Sequence, residues 1–280
     1  MRGNASELVS FAGRTLPSIS PTQLKQLLTG ARNSPLVTMR TVRDQSLAKL
    51  NELAKTSSSP VQRQFLDTLA TSRTQVRALA DALTTTLMAI TADDVKGQAL
   101  AAAALISANV TPVVTMHIPF GGDNHTDTDL AAEAAQTVTG VQGIQAVLDA
   151  LAGLGLSDKV TFATLNVFGR NLNGIAKTDG RTGRDHYGNH AVSVLIGKNI
   201  APGVTGGVIK GTSGAYAASD IDSATGSPMA GGDIPVAKTN IALARTLGVA
   251  LGIPGALLEP DFAANAGGKV INSALSGVSG

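Results

Sequence analysis

Residues 110–116 read VTPVVTM, a short run rich in β-branched side chains that predicts a β-strand. Farther along the chain, residues 130–151 carry apolar side chains at the spacing of one helix face. A second β-branched run follows over residues 160–168. A strand, a long helix and a strand form a βαβ unit, in which the two strands are parallel and the crossover is right-handed. These segments therefore predict an α/β fold.

The segments on either side extend this prediction. Residues 191–196 and 208–210 predict further strands, and residues 236–253 predict a helix that ends at Gly252. Residues 21–107 show helical spacing almost throughout. A parallel sheet is normally covered by helices on both faces. We therefore expect three layers, with a mostly parallel sheet in the middle.

The same patterns divide the chain into three parts. Residues 1–108 are predicted to be a helical segment that packs on the sheet. Residues 109–262 are predicted to be the α/β core, and residues 263–280, rich in Ser, Gly and Ala, a tail.

Composition limits the classes of function. Hydrophobic residues make up 43% of the chain and charged residues 15%, which is typical of a globular protein. A net charge of +2 and 3% aromatic residues argue against nucleic-acid binding. There is no cysteine, so any metal ion must be held by His, Asp, Glu or backbone oxygen.

Two segments bear on localisation. The first twenty residues lack the apolar run and cleavage site of a signal peptide. The Ala-rich residues 97–110 are too few to cross a bilayer. We expect no membrane span, and the sequence leaves localisation and oligomeric state open.

The first candidate site is FGGDNH at residues 120–125, just after the first predicted strand. In an extended segment, residues two apart point to the same side. Asp123 and His125 would then bind one metal ion together. The alternative is an Asx-rich turn in which Thr126 or Asp127 caps the next helix.

The second candidate site is GRDHYGNH at residues 183–190. Asp185 and His186 are adjacent, so they can share an ion only in an irregular loop, which the glycines favour. The alternative is a solvated polar loop. Three of the four histidines fall in these two motifs, and we assign His190 a supporting role behind the ligands. We interpret His117, directly after the first predicted strand, as a sheet-edge imidazole.

Two arginines are candidates for binding an anion. Arg170 ends the segment FGR at residues 168–170, and its guanidinium can bind an oxyanion through two hydrogen bonds. The alternative for Arg170 is an exposed arginine at a strand end. Arg184, in the second motif, is the other predicted anion-binding residue.

In chain order these elements resemble the domain-of-unknown-function 1501 proteins, relatives of sulfatases and alkaline phosphatases. That family typically shows Gly-Gly-Trp-Asp-Thr-His, Glu-Phe-Gly-Arg, Gly-x-Asp-His and a Gly-rich turn. The similar segments here are GGDNH (121–125), VFGR (167–170), GRDHYGNH (183–190), VSVLIGKNIAPGVTGGVIKG (192–211) and the late helix KTNIALARTLGV (238–249). The resemblance extends over about residues 97–270.

The resemblance implies a function. The positions similar to Asp123 and His125 would bind one divalent ion, and those similar to Asp185 and His186 a second. Zinc suits these ligands best, with calcium or manganese as alternatives. Two such ions would clamp a small anionic substrate, a phosphate or sulfate ester, for hydrolysis.

The chain departs from the family pattern at several positions. The Trp of the first element is absent, Val167 replaces a Glu, and Lys238 stands where an acid is expected. The superfamily places its nucleophile after a first strand, and no such strand is predicted before residue 110. We therefore expect an alkaline-phosphatase-like fold that is incomplete at its N-terminus.

Three hypotheses follow from the pattern and its departures. The first is a metal-dependent ester hydrolase whose parent protein is exported and whose nucleophile segment is missing here. The second is a degenerate, non-catalytic member of the family that binds metal or acts as a scaffold. The third is a purely structural module in which the clustering of Asp and His is a coincidence.

Overall fold

The computed structural model describes residues 19–29, 37–109, 111–120, 124–165, 168–171, 175–176, 182–188, 190–210, 216–255, 257–258 and 269–278. Contacts divide the chain into two compact units. Unit 1 consists of Met1–Ile118 and Gln142–Leu154, and unit 2 consists of Pro119–Val141 and Gly155–Gly280. Each unit therefore contains two separate stretches of the chain.

The secondary structure of the described residues of unit 1 consists of helices. These are α1 (Pro21–Thr29), α2 (Val37–Ser57), α3 (Pro60–Ala82), α4 (Thr84–Met88), α5 (Val95–Ser107) and the C-terminal part of α6 (Ala131–Gly153). Pro21 opens α1, where a proline fits because no intrahelical partner exists for its missing N–H. Asp94 caps α5 by accepting a hydrogen bond from the N–H of Gly97 at 2.7 Å. The helices predicted within residues 21–107 are thus confirmed.

An apolar cluster joins α1, α4 and α5 in unit 1. Its buried members are Leu24, Leu83, Leu87, Ile90, Ala101 and Ala104. Hydrogen bonds reinforce it: the N–H and the hydroxyl of Thr22 donate to the carboxylate of Asp93 at 2.8 and 2.9 Å. These hydrogen bonds, chiefly the one from the backbone N–H of Thr22, hold the pKa of the Asp93 carboxyl below its ordinary value.

Unit 2 contains short strands that pair two by two. They are β1 (Phe162–Ala163), β2 (Gly169–Arg170), β3 (Ile175–Ala176), β4 (Thr182–Gly183), β5 (His186–Tyr187), β6 (Leu195–Ile196), β7 (Val208–Lys210) and β8 (Tyr216–Ala218). The pairs among the described residues are β1–β6, β2–β5, β3–β4 and β7–β8, and all are antiparallel. In sequence, the β3–β4 pair lies between the two strands of the β2–β5 pair.

The mixed helix and strand content predicted from the sequence is confirmed, but a mostly parallel sheet is not found among the described residues. Residues 111–120 carry no strand, and β1 pairs antiparallel with β6. The described residues therefore do not form the predicted βαβ unit. Pro112 has no N–H to give to a strand ladder, and the N–H of Val113 bonds the hydroxyl of Thr111 at 3.3 Å. A β-branched run also does not specify its partner strand.

A second apolar cluster lies in unit 2 and contains Ile221, Ile234, Ala242 and Ile271. Ile221 and Ile234 exchange backbone hydrogen bonds of 2.9 and 3.0 Å. Ala242 comes from α7 (Thr239–Ala250), which follows a 3₁₀ turn at Val236–Lys238. Beyond α7, Gly252 has a φ of +72°, a left-handed conformation that glycine adopts readily at a helix end. The helix predicted over residues 236–253 and the strand over 208–210 are confirmed.

The last described segment, residues 269–278, packs against α7. Ile271 is 5% exposed, and its N–H donates to the hydroxyl of the buried Thr246 at 2.9 Å. Lys269 bonds the carboxylate of Asp233 at 2.6 Å. The core of unit 2 therefore includes residues close to the end of the chain.

Two predictions concern the chain as a whole. Among the described helices, none combines the length and the apolar character needed to cross a bilayer. The division into residues 1–108, 109–262 and 263–280 stays a prediction.

Candidate functional site

The segments FGR and GRDH are joined by the β2–β5 pair, in which Arg170 lies opposite His186. The buried Asn171 extends this pair by one residue. Its N–H donates to the carbonyl of Asp185 at 3.2 Å, and its side-chain oxygen accepts a hydrogen bond from the N–H of Asp185 at 2.8 Å. Both the N–H and the carbonyl of Asp185 are thus hydrogen-bonded to Asn171.

The loop that contains His125 lies directly against the second motif. The N–H of Arg184 donates to the carbonyl of Asn124 at 3.0 Å. A Cβ atom on Gly183 would lie 2.1 Å from the carbonyl oxygen of His125, a distance that no side chain permits. Gly183 therefore allows the two motifs to touch.

This contact brings His125 close to Asp185 and His186. The Nε2 atom of His125 lies 3.7 Å from Oδ1 of Asp185. The rings of His125 and His186 have centroids 4.7 Å apart and meet edge to face at 63°. Asp123, the fourth predicted ligand, lies outside the described residues. The three predicted ligands that the structure describes are therefore neighbours.

The geometry permits a test of whether a metal ion fits. Two donor atoms about 2.1 Å from one zinc ion in tetrahedral geometry are roughly 3.4 Å apart. The 3.7 Å between His125 and Asp185 is close to this value. Within the described residues, no group of three or more His, Asp or Glu side chains is arranged to hold an ion. The spacing of His125 and Asp185 is thus compatible with two ligands of one ion, and a complete site would need at least one more ligand.

Phe168 contributes an aromatic contact that the sequence analysis did not assign. Its ring lies 4.0 Å from that of His186, with an angle of 30° between the planes. The guanidinium carbon of Arg170 lies 5.8 Å from the centroid of Phe168, and Nη1 of Arg170 donates to the carbonyl of Arg184 at 3.1 Å. The side chains of FGR therefore pack on the second motif.

The other predicted anion-binding residue, Arg184, forms an ion pair with Glu133 of α6. Nη1 of Arg184 lies 3.0 Å from Oε1 of Glu133, and Nδ2 of Asn124 donates to Oε2 of Glu133 at 3.1 Å. The sequence analysis missed Glu133. A signal was present, because Glu133 is the only charged residue within positions 130–148 of a largely apolar helix.

The start of α6 also bears out the alternative interpretation of the first loop. The carboxylate of Asp127 accepts hydrogen bonds from the N–H groups of Ala132 and Glu133 at 3.2 and 2.8 Å. Asp127 therefore caps the first turn of α6, as an Asx-rich turn predicts. This capping role is compatible with His125 as a metal ligand, because it uses the side chain of Asp127.

His190 lies beside the β2–β5 pair. Its Nδ1 atom is 2.8 Å from the carbonyl oxygen of Tyr216, and because a carbonyl only accepts, Nδ1 carries the hydrogen. Its Nε2 would lie 2.4 Å from a Cβ atom on Gly169. Gly169 thus leaves room for the imidazole, and the supporting role assigned to His190 stays a prediction.

A mixed α/β protein with a His–Asp cluster between two loops is the class that these features define. The chain belongs to the family described as "Protein of unknown function (DUF1501)", which it matches over residues 11–225. The described site residues all fall within this range. Neither the search of curated proteins nor that of solved structures found a match.

Proposed function

We propose that this chain binds a divalent metal ion between His125 and Asp185, with Asp123 and His186 as the candidates for the further ligands that the site needs. The observation that carries the proposal is the 3.7 Å distance between Nε2 of His125 and Oδ1 of Asp185. These atoms belong to loops far apart in sequence, each of which carries an Asp and a His. Their close approach supports one metal ion that both loops bind.

Zinc suits imidazole and carboxylate ligands best, and calcium or manganese are the alternatives. The wider proposal is a relative of phosphate and sulfate ester hydrolases that acts on a small anionic ester. When bound, the ion would supply positive charge for the ester oxygens. Two further expectations belong to this proposal: the three-layer, mostly parallel sheet, which the sequence pattern predicts, and export of the parent protein, which goes with the resemblance.

The residues of the chain would have separate tasks. His125 and Asp185 would bind the ion, and Asn171 would hold Asp185 in place through its two hydrogen bonds. Phe168 would limit rotation of the His186 ring, which lies against it. Arg170, which packs on Phe168 and bonds the carbonyl of Arg184, would contribute its positive charge to the binding of an anion.

A second candidate is binding without turnover, and the two arginines favour it. Nη1 of Arg170 bonds the carbonyl of Arg184, and Nη1 of Arg184 bonds Glu133. Both predicted anion-binding groups are thus engaged in holding the protein together. A non-catalytic member of the family that keeps the metal site would have this arrangement.

Isothermal titration calorimetry with zinc tests the metal site. We expect the metal-stripped protein to bind zinc, and Asp185→Ala and His186→Ala to bind it at least about tenfold more weakly because each removes a ligand. His117→Ala, which alters an exposed histidine of unit 1, is the matched control. A wild-type protein that takes up no zinc, or a control that loses as much affinity, would refute the proposal.

Turnover of p-nitrophenyl phosphate and p-nitrophenyl sulfate separates the two candidates. We expect weak or no hydrolysis by this chain, since no nucleophile is assigned in it. Robust hydrolysis that a chelator abolishes would favour the hydrolase over the non-catalytic protein. Zinc binding without hydrolysis would favour the non-catalytic protein.

A further inference from the structure

We infer that Glu133 is a positioning residue that sets the distance between the two loops of the candidate site. This inference deepens the proposed function, and its metal-binding part rests on it. One oxygen of the Glu133 carboxylate accepts a hydrogen bond from Asn124 and the other from Arg184. These two residues directly precede His125 and Asp185. The carboxylate of Glu133 thus binds the residue that precedes His125 in one loop and the residue that precedes Asp185 in the other.

The position of Glu133 is itself fixed. Its N–H donates to the carboxylate of Asp127 at 2.8 Å, so both its backbone and its side chain are bonded to the first loop. It lies in the first turn of α6, where the helix dipole stabilises a negative charge. The carboxylate therefore forms a fixed point from which both loops are positioned.

Burial makes the pair with Arg184 sensitive to the loss of charge. The side chains of Arg184 and Glu133 are 17% and 27% exposed, so water screens them only in part. Removal of one partner of such a pair leaves the other charge without compensation in a poorly solvated place. Arg184 would then have to move, and Asp185 with it.

Two readouts test this inference in Glu133→Gln, which has the same shape without the charge. The first is the ring signals of the four histidines in two-dimensional NMR of the metal-free protein. The second is the zinc affinity. We expect the signals of His125 and His186 to shift, that of His117 to stay, and zinc binding to weaken at least about tenfold, as when partners behind a metal ligand are removed.

The matched control is Asp149→Asn, which neutralises an exposed acid on the same helix that accepts a hydrogen bond from Gln145 at 2.8 Å. It should leave both readouts unchanged. If Glu133→Gln does not fold, Arg184→Lys provides the same test, because it keeps the cation and shortens its reach. Signals of His125 and His186 that stay in place in the folded variant would overturn the inference.

The outcomes also separate this inference from the proposed function. Shifted histidine signals in a protein whose wild type binds no zinc would retain Glu133 as a positioning residue and refute the metal site. Zinc binding by the wild type, with an unchanged affinity and unchanged signals in Glu133→Gln, would support the metal site and refute Glu133 as a positioning residue.

Discussion

Gly183 shows how one residue permits the contact between the two motifs. A Cβ atom there would lie 2.1 and 2.6 Å from the carbonyl oxygens of His125 and Asn124. These are backbone atoms, which cannot rotate away as a side chain would. We expect Gly183→Ala to lower the free energy of unfolding by about 1–3 kcal/mol, as overpacking does, measured by chemical denaturation.

Gly188→Ala is the control for this substitution. Gly188 lies in the same loop, and a Cβ atom there has no described atom within 4 Å. It should change the stability by less than about 0.5 kcal/mol. Equal effects of the two substitutions would show that the loops do not touch at Gly183.

Much of the candidate site could be predicted from residue types. In one motif an Asp and a His are two residues apart, and in the other they are adjacent in a Gly-rich loop. These patterns predicted His125, Asp185 and His186 as site residues, and the structure places the three together. Their ligand role stays a prediction. The ion pair of Glu133 with Arg184 could not be predicted, because its residues lie on a helix and a loop whose packing no local pattern encodes. Asp123 lies outside the described residues.

At the level of elements, helices were predictable and strand pairing was not. The apolar spacing over residues 130–151 corresponds to α6 (Ala131–Gly153), because helix periodicity is a property of one segment. The run over 160–168 contains β1, but its partner is β6, in antiparallel orientation. Pairing depends on distant residues, so the parallel sheet expected from strand order was not found in the described residues.

Thr246 of α7 links the helix to the end of the chain. Its hydroxyl, in a side chain 1% exposed, donates to Ala242 and accepts from the N–H of Ile271. Thr246→Val would leave a buried N–H without a partner, which costs about 1–3 kcal/mol. We expect chemical denaturation to show this loss of stability.

Thr137→Val is the matched control for Thr246→Val. The hydroxyl of Thr137 also bonds the carbonyl four residues earlier, at 2.8 Å, but on an exposed face. Water can replace that bond, so the effect should stay within about 0.5 kcal/mol. A loss as large as that of Thr246→Val would contradict the role assigned to the Ile271 N–H.

Asp233 makes the attachment of residues 269–278 dependent on pH. Hydrogen bonds from Lys269 and then Ser223 hold the pKa of Asp233 far below its ordinary value of 3.8. A carboxylate with a lowered pKa in the folded state stabilises the fold above its unfolded pKa, and this contribution is lost as the pH falls through the folded value.

We therefore expect the difference in Tm between the wild type and Asp233→Asn to be constant from about pH 7 to 5 and to shrink at lower pH. Lys269→Met, which removes the main cause of the shift, should reduce the acid sensitivity in the same direction. Parallel acid responses of the wild type and Asp233→Asn would contradict this assignment.

At the scale of the whole molecule, each unit has an apolar cluster among its described residues, and these two clusters share no side chain. The first, around Leu87, belongs to unit 1, and the second, around Ile234, belongs to unit 2. Both side chains are fully buried, at 0% exposure. The described residues of the candidate site lie in unit 2, the unit of the second cluster.

Hydrogen exchange in Leu87→Ala and Ile234→Ala tests this independence. Each substitution removes buried methyl groups, at a cost of about 2–5 kcal/mol, and local opening is governed by the contacts of the cooperative unit that opens. We expect Leu87→Ala to accelerate exchange in α1, α4 and α5, and Ile234→Ala in α7 and residues 269–278. Helix α6 has residues in both units and is left out of the comparison. If either substitution accelerated exchange equally in both sets of segments, the chain would unfold as one cooperative body, because the loss of one cluster would then be felt throughout.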